Sequence, residues 1–103
     1  MKLLDLVVEE YIDIVEFLLE SKPVENNRII VEREDFRELL ERFHYMKFKQ
    51  KTKIYKKLKF IIHDKNNYTM PYKDKNTGKI KRAVIIDYET YTTMKYLFET
   101  NGA

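Results

Sequence analysis

The sequence predicts a small α+β domain, and three observations support this prediction. In four stretches, apolar residues recur at the three- and four-residue intervals of amphipathic helices. Short β-branched or alternating stretches, which are typical of strands, lie between some of them. The chain has 103 residues, which is the size of one domain around one hydrophobic core. We therefore expect residues 1–103 to form a single domain.

The first predicted helix covers residues 3–20. Its acidic residues form one stripe and nearly all its other positions are apolar, so the apolar sector is much wider than the ~100° stripe of a helix facing a single core. Two interpretations are open: the helix packs on two sides within its own domain, or one side meets a second subunit. In the second case we expect a homodimer interface formed by Leu4, Val8, Tyr11, Ile12 and Val15. Pro23 then ends the helix.

A strand and two more helices follow. The β-branched run within residues 28–32 predicts a strand. Residues 34–43 have helical periodicity and two acids at the positive end of the helix. A third helix is predicted over about residues 50–63, with lysines on the face opposite its buried stripe. Thr52 is a candidate cap if this helix begins later.

The C-terminal part predicts a β-hairpin and a fourth helix. Residues 68–73 alternate in polarity, and Pro71, which cannot donate a ladder hydrogen bond, indicates an edge strand. Residues 74–78 form the turn, with Gly78 available for a positive φ, and residues 79–87 form the return strand. Asp87 is a suitable N-cap for a helix that reaches about residue 99.

The basic residues are concentrated in one part of the chain. Residues 47–82 hold 13 of the 20 lysines and arginines and only two acids, although the net charge of the whole chain is only +3. The segments on either side are net acidic. Such an asymmetric distribution favours a polyanionic partner on one side of the molecule. A basic helix beside a basic hairpin is a plausible interface for double-stranded DNA.

Lysines bind phosphates without distinguishing bases, which require forked or bidentate side chains. Gln50, Asn76 and Arg82 are the candidates for base recognition, with Thr52 and Thr77 as weaker ones. For Arg82 the alternative is that its planar guanidinium packs on its own sheet, against a tyrosine for example. The full predicted DNA-binding set is Lys49, Gln50, Lys51, Thr52, Lys53, Lys56, Lys57, Lys73, Lys75, Asn76, Thr77, Lys79, Lys81 and Arg82.

The predicted order of elements resembles the winged helix-turn-helix family. The resemblance covers roughly residues 5–87 and implies that the third helix is the recognition helix, the hairpin is the wing and the fourth helix is an addition. The turn between residues 43 and 50 departs from the family because it has no clear glycine. More narrowly, the composition and the run Asn67-Tyr68-Thr69-Met70-Pro71-Tyr72 resemble the TcpK-type relaxosome accessory proteins of clostridial conjugative plasmids. That resemblance implies sequence-specific binding near an origin of transfer, beside a relaxase.

Other functional classes have less support in the sequence. The chain has no cysteine and two isolated histidines, and we expect no metal, no cofactor and no catalytic site, so we do not expect an enzyme. We also expect no signal peptide and no association with membranes. The lack of cysteine fits a reducing compartment, and we expect a cytoplasmic protein. The alternatives that stay open are a winged-helix transcriptional regulator and a protein-interaction adaptor with a basic patch for an acidic partner.

Overall fold

The computed structural model describes residues 2–101. Within this range the chain has an α+β fold of four helices and a four-stranded antiparallel sheet, in agreement with the predicted fold class. The helices are α1 (Leu3–Leu19), α2 (Arg33–Glu41), α3 (Phe48–Lys57) and α4 (Tyr88–Asn101), and the strands are β1 (Arg28–Glu32), β2 (Ile61–Ile62), β3 (Met70–Lys73) and β4 (Ile80–Asp87). No helix in these residues is both long and apolar enough to cross a bilayer.

Strand β4 is the centre of the sheet. Ile86 lies opposite Ile29 of β1 on one side and opposite Ile61 of β2 on the other. Strand β3 forms the predicted hairpin with β4, pairing Met70 with Ala83 through to Lys73 with Ile80. Strands β2 and β3 therefore share one edge of β4, and β1 occupies the other.

The third helix is shorter than the sequence predicted. It ends at Lys57, and Lys59 has a left-handed φ of 61°. The Phe60 N–H donates to the Tyr55 carbonyl at 3.0 Å, and the two rings are 5.2 Å apart. These contacts define a Schellman motif, which here lacks the glycine that usually marks it. Ile61, which was predicted to be helical, consequently joins the sheet as β2.

The core packs α1 against the sheet and α3. The ring of Tyr11 stacks on Phe60 at 3.8 Å and meets Tyr55 edge-on at 5.9 Å. Tyr11, Ile12 and Val15, three of the five residues predicted at a dimer interface, are buried in this core at 0%, 8% and 0% exposure. The prediction is wrong for these three, because α1 is already covered on two sides within its own domain.

Helix α4 begins as predicted. The Asp87 carboxylate accepts a hydrogen bond from the backbone N–H of Thr90 at 3.1 Å, which is the N-cap interaction. The Asp87 carboxylate also accepts a bond from the Asn27 amide. The helix then packs along α1, where Tyr91 and Lys95 both bond to Glu16.

Candidate nucleic-acid interface

Helix α3 presents a face of lysines to solvent. Lys49, Lys53 and Lys57 are exposed, and Lys56 is half-buried. None of the four lies within ion-pair distance of an acid in residues 2–101. Their ammonium groups therefore remain available to an external anion. Gln50 is also exposed and lines a hollow of about 880 Å³ along the turn between α2 and α3.

Lys51 does not belong to this surface. Its side chain is 1% exposed, and its ammonium donates to Glu10 Oε2 at 2.7 Å. It also donates to the carbonyls of Leu40 at 2.6 Å and Phe43 at 2.5 Å. All three N–H donors of the ammonium group are used, so the prediction that Lys51 contacts DNA is wrong. Lys51 instead joins α1 to the turn between α2 and α3.

Glu10 is the acceptor at the centre of this buried network. Its Oε1 atom accepts hydrogen bonds from the hydroxyls of Tyr45 at 2.8 Å and Tyr55 at 2.7 Å. Burial and the neighbouring carboxylate raise the pKa of both tyrosines, so they remain neutral donors. The network fixes the orientation of α3 relative to α1, because Tyr55 and Lys51 both lie on α3.

Thr52 and Arg82, two predicted base contacts, both form hydrogen bonds within their own domain. Thr52 is 6% exposed and its hydroxyl donates to the Lys49 carbonyl, and α3 begins at Phe48, so Thr52 is neither a base contact nor a cap. Arg82 Nε donates to Thr69 Oγ1 at 2.9 Å, and Nη2 donates to the carboxylate of Asp64 and the carbonyl of Thr69. The Arg82 side chain is 38% exposed, and these bonds within its own domain agree with the alternative prediction except that the partner is not a tyrosine.

The turn of the hairpin is ordered by local hydrogen bonds. Asp74 Oδ1 accepts from the Asn76 N–H at 2.8 Å, and the Gly78 N–H donates to the Asp74 carbonyl at 2.8 Å with a φ of 72°. The Asn76 N–H, followed by the Lys81 ammonium, lowers the pKa of Asp74. Thr77 Oγ1 accepts a backbone N–H within the turn. The Asn76 side chain remains exposed at the tip.

The hairpin lysines fall into two groups. Lys73 and Lys79 are exposed and meet no acid within the described part of the chain. Lys75 lies 3.3 Å from Glu25, and Lys81 lies 3.2 Å from the turn carboxylate. The Lys75–Glu25 pair is exposed on both sides, and such pairs contribute little to stability, so Lys75 can exchange its partner for a phosphate. Lys81 pairs with a carboxylate that is only 18% exposed.

A cleft of about 500 Å³ separates α3 from the segment before β3. Its lining combines cations, amides and aromatic rings: Arg37, Phe48, Lys49, Thr52, Lys53, Lys56, Asn66, Asn67 and Tyr68. The Arg37 guanidinium lies 4.9 Å from the centre of the Phe48 ring. Sequence analysis missed Arg37, Asn66 and Asn67, because it sought DNA contacts only on the third helix and the hairpin. The adjacent asparagines were the one available signal.

No protein-family model matches this chain, and no curated protein matches it in sequence. Among residues 2–101, no group of three or more histidine, aspartate or glutamate side chains is placed to hold a metal ion. The exposed lysines of α3 and the hairpin, together with the adjoining cleft, form the candidate functional site.

Proposed function

We propose that this protein binds double-stranded DNA as a winged helix-turn-helix module, with α3 as recognition helix and the β3–β4 hairpin as wing. The observation that carries the proposal is a set of lysines on these two elements that pair with no acid in the described residues: Lys49, Lys53, Lys56, Lys57, Lys73 and Lys79. The element order and the placement of β4 between β1 and the wing strand support the winged-helix assignment.

The affinity of such a surface comes mainly from counterion release. Each phosphate neutralised by a lysine contributes about −0.9 to the slope of log affinity against log salt concentration. Six such lysines therefore predict a slope of about −5. The α3 lysines and the hairpin lysines extend the contact over two elements, as expected for a helix in the major groove and a hairpin on the flanking backbone.

The resemblance to TcpK-type relaxosome accessory proteins supports a more specific proposal. The protein would occupy a site near a plasmid origin of transfer, in the cytoplasm, beside a relaxase. A winged-helix transcriptional regulator requires the same interface and is distinguished by its target site. The adaptor alternative predicts instead that the lysines bind an acidic protein and that duplex DNA is not bound.

We propose further that the protein is a homodimer. With Tyr11 and its buried neighbours excluded, α1 still exposes Leu3, Leu4 and Phe17, which are 50%, 56% and 49% exposed. Leu6, Val8 and Leu19 are half-buried. Sedimentation velocity at micromolar concentration should show a dimer, and Leu4→Glu should shift it towards monomer. A wild-type monomer at these concentrations contradicts the proposal.

Fluorescence anisotropy with a labelled duplex at several salt concentrations tests DNA binding. The double variant Lys53→Gln, Lys56→Gln should bind more weakly and lower the salt slope by about two. The matched control is Lys2→Gln with Arg28→Gln, which makes the same charge change immediately before α1 and on β1 and should retain wild-type affinity. If the wild type does not bind at ~50 mM salt, where the electrostatic term is strong, or if both double variants lose affinity equally, the proposal is wrong.

A further inference from the structure

Residues 63–69, termed the inserted loop, separate β2 from β3, the two strands that pair with the same edge of β4. Ile62 lies opposite Ile85 and Met70 lies opposite Ala83. Seven residues, 63–69, therefore stand where a regular strand would place the one residue opposite Val84, an excess of six. The sequence predicted a hairpin strand from residue 68 onwards. The observed strand β3 begins at Met70, directly after this insertion.

Both ends of the inserted loop are clamped by Arg82. Its guanidinium donates to the carboxylate of Asp64 at one end of the loop and to the hydroxyl and carbonyl of Thr69 at the other. Thr69 is 3% exposed, so this half of the clamp is shielded from water. A single arginine on β4 thereby closes the loop across its base.

Tyr68 anchors the loop against the helices. Its ring lies 6.2 Å from the ring of Phe36 and 5.4 Å from that of Phe48. Burial raises the pKa of Tyr68. With Tyr68 packed inward and the ends clamped, the exposed residues of the loop are Lys65, Asn66 and Asn67.

The loop holds its two asparagines beside the lysines of α3. Asn66 and Asn67 line the cleft together with Lys49, Lys53 and Lys56. Within residues 2–101, the side-chain hydrogen bonds of the loop involve its other members and leave both amide groups unused. The amides of Asn66 and Asn67, which can each donate and accept hydrogen bonds, therefore lie beside lysines that are suited to binding phosphates.

We infer that the inserted loop is a base-recognition element of the proposed interface, in which Asn66 and Asn67 contact base edges and Arg82 is a positioning residue. The inference rests on the proposed function. An asparagine amide can bond to adenine N6 and N7 at once in the major groove, whereas a lysine contacts phosphate without that selectivity. Clamping the loop before binding reduces the entropy lost when its amides meet a base.

The test begins with selection of a preferred duplex from a random-sequence pool by the wild-type protein. Specificity is then the ratio of the dissociation constants for a shuffled duplex and the selected one. Asn66→Ala and Asn67→Ala should each reduce this ratio about tenfold without changing the salt slope. Lys65→Ala, the control in the same loop, should leave this ratio unchanged, because any phosphate contact of a lysine contributes equally to both duplexes.

The positioning role of Arg82 is tested by its effect on the inserted loop. Arg82→Gln should reduce the ratio, with Arg82→Lys intermediate, and should add no further loss in the Asn66→Ala, Asn67→Ala background. In the DNA-free protein, Arg82→Gln should also accelerate amide hydrogen exchange across residues 64–69, whereas Lys65→Ala should not. That readout separates positioning from direct contact.

The outcomes distinguish this inference from the proposed function. Selection without enrichment of any sequence, or an unchanged ratio in both asparagine variants, overturns the inference and leaves DNA binding intact. A wild-type protein that binds no duplex overturns both. Further loss of specificity on adding Arg82→Gln to the asparagine variants, with unaltered exchange in the loop, assigns Arg82 to direct contact and overturns its positioning role.

Discussion

Replacing Lys51 by methionine should be among the most destabilising single substitutions in this protein. Methionine fills a similar volume but leaves the buried Glu10 carboxylate without a cation and the carbonyls of Leu40 and Phe43 without a donor. Removing one partner of a buried ion pair costs about 3–5 kcal/mol. A domain of this size has a total stability of about 5–15 kcal/mol, so the variant should lose a large fraction of it.

Urea unfolding followed by far-UV circular dichroism measures this loss. The matched control is Lys53→Met on the exposed face of the same helix, which should unfold at the wild-type urea concentration. Combining Lys51→Met with Glu10→Gln removes both charges, so the double variant should be less destabilised than the sum of the single variants by about 1–3 kcal/mol.

Three results would refute this reasoning. A Lys51→Met variant with wild-type stability would show that the buried pair contributes nothing net to folding. A variant of wild-type stability that also binds DNA more weakly would restore Lys51 to the interface. Additive effects in the double variant would indicate that Glu10 and Lys51 do not interact across the core.

Three further predictions concern the hairpin and α4. Lys73→Gln with Lys79→Gln should lower the salt slope of DNA binding by about two, as measured by anisotropy. The bond to Lys95 lowers the pKa of Glu16, so its stabilising effect is present above the ordinary glutamate pKa and is lost as pH falls through the folded-state value. Glu16→Gln should therefore lower the urea midpoint at neutral pH, and the difference from wild type should vanish in strongly acidic buffer. Asp87→Ala removes the cap of α4 and should cost about 1 kcal/mol in urea unfolding.

Local sequence patterns were sufficient to predict most elements. The β-branched run predicted β1 at its observed bounds, Arg28–Glu32, and helical periodicity predicted α1 to within one residue of its observed end at Leu19. Asp87 was predicted as the cap of α4, and it is. These features depend on residues within a few positions of one another, so a single stretch of sequence contains the information.

Lys51 and Ile61 were misassigned because their partners are distant in sequence. Helical spacing predicted that Lys51 faces solvent with the other lysines of the helix. Its side chain is instead buried, where it pairs with Glu10, 41 residues away. Periodicity extended α3 to residue 63, yet pairing with β4 takes Ile61 into the sheet.

The sequence by itself thus determined the fold class, most elements and the segregation of positive charge, because these follow from composition and local periodicity. Only the tertiary structure decided which basic groups are free in solvent and which bond to other parts of the domain. The guanidinium of Arg82 bonds to Asp64 and Thr69, 18 and 13 residues away. A charged side chain such as that of Lys51, 1% exposed, is buried only where the folded chain supplies it with partners, and those partners come together only when the sheet and helices have packed.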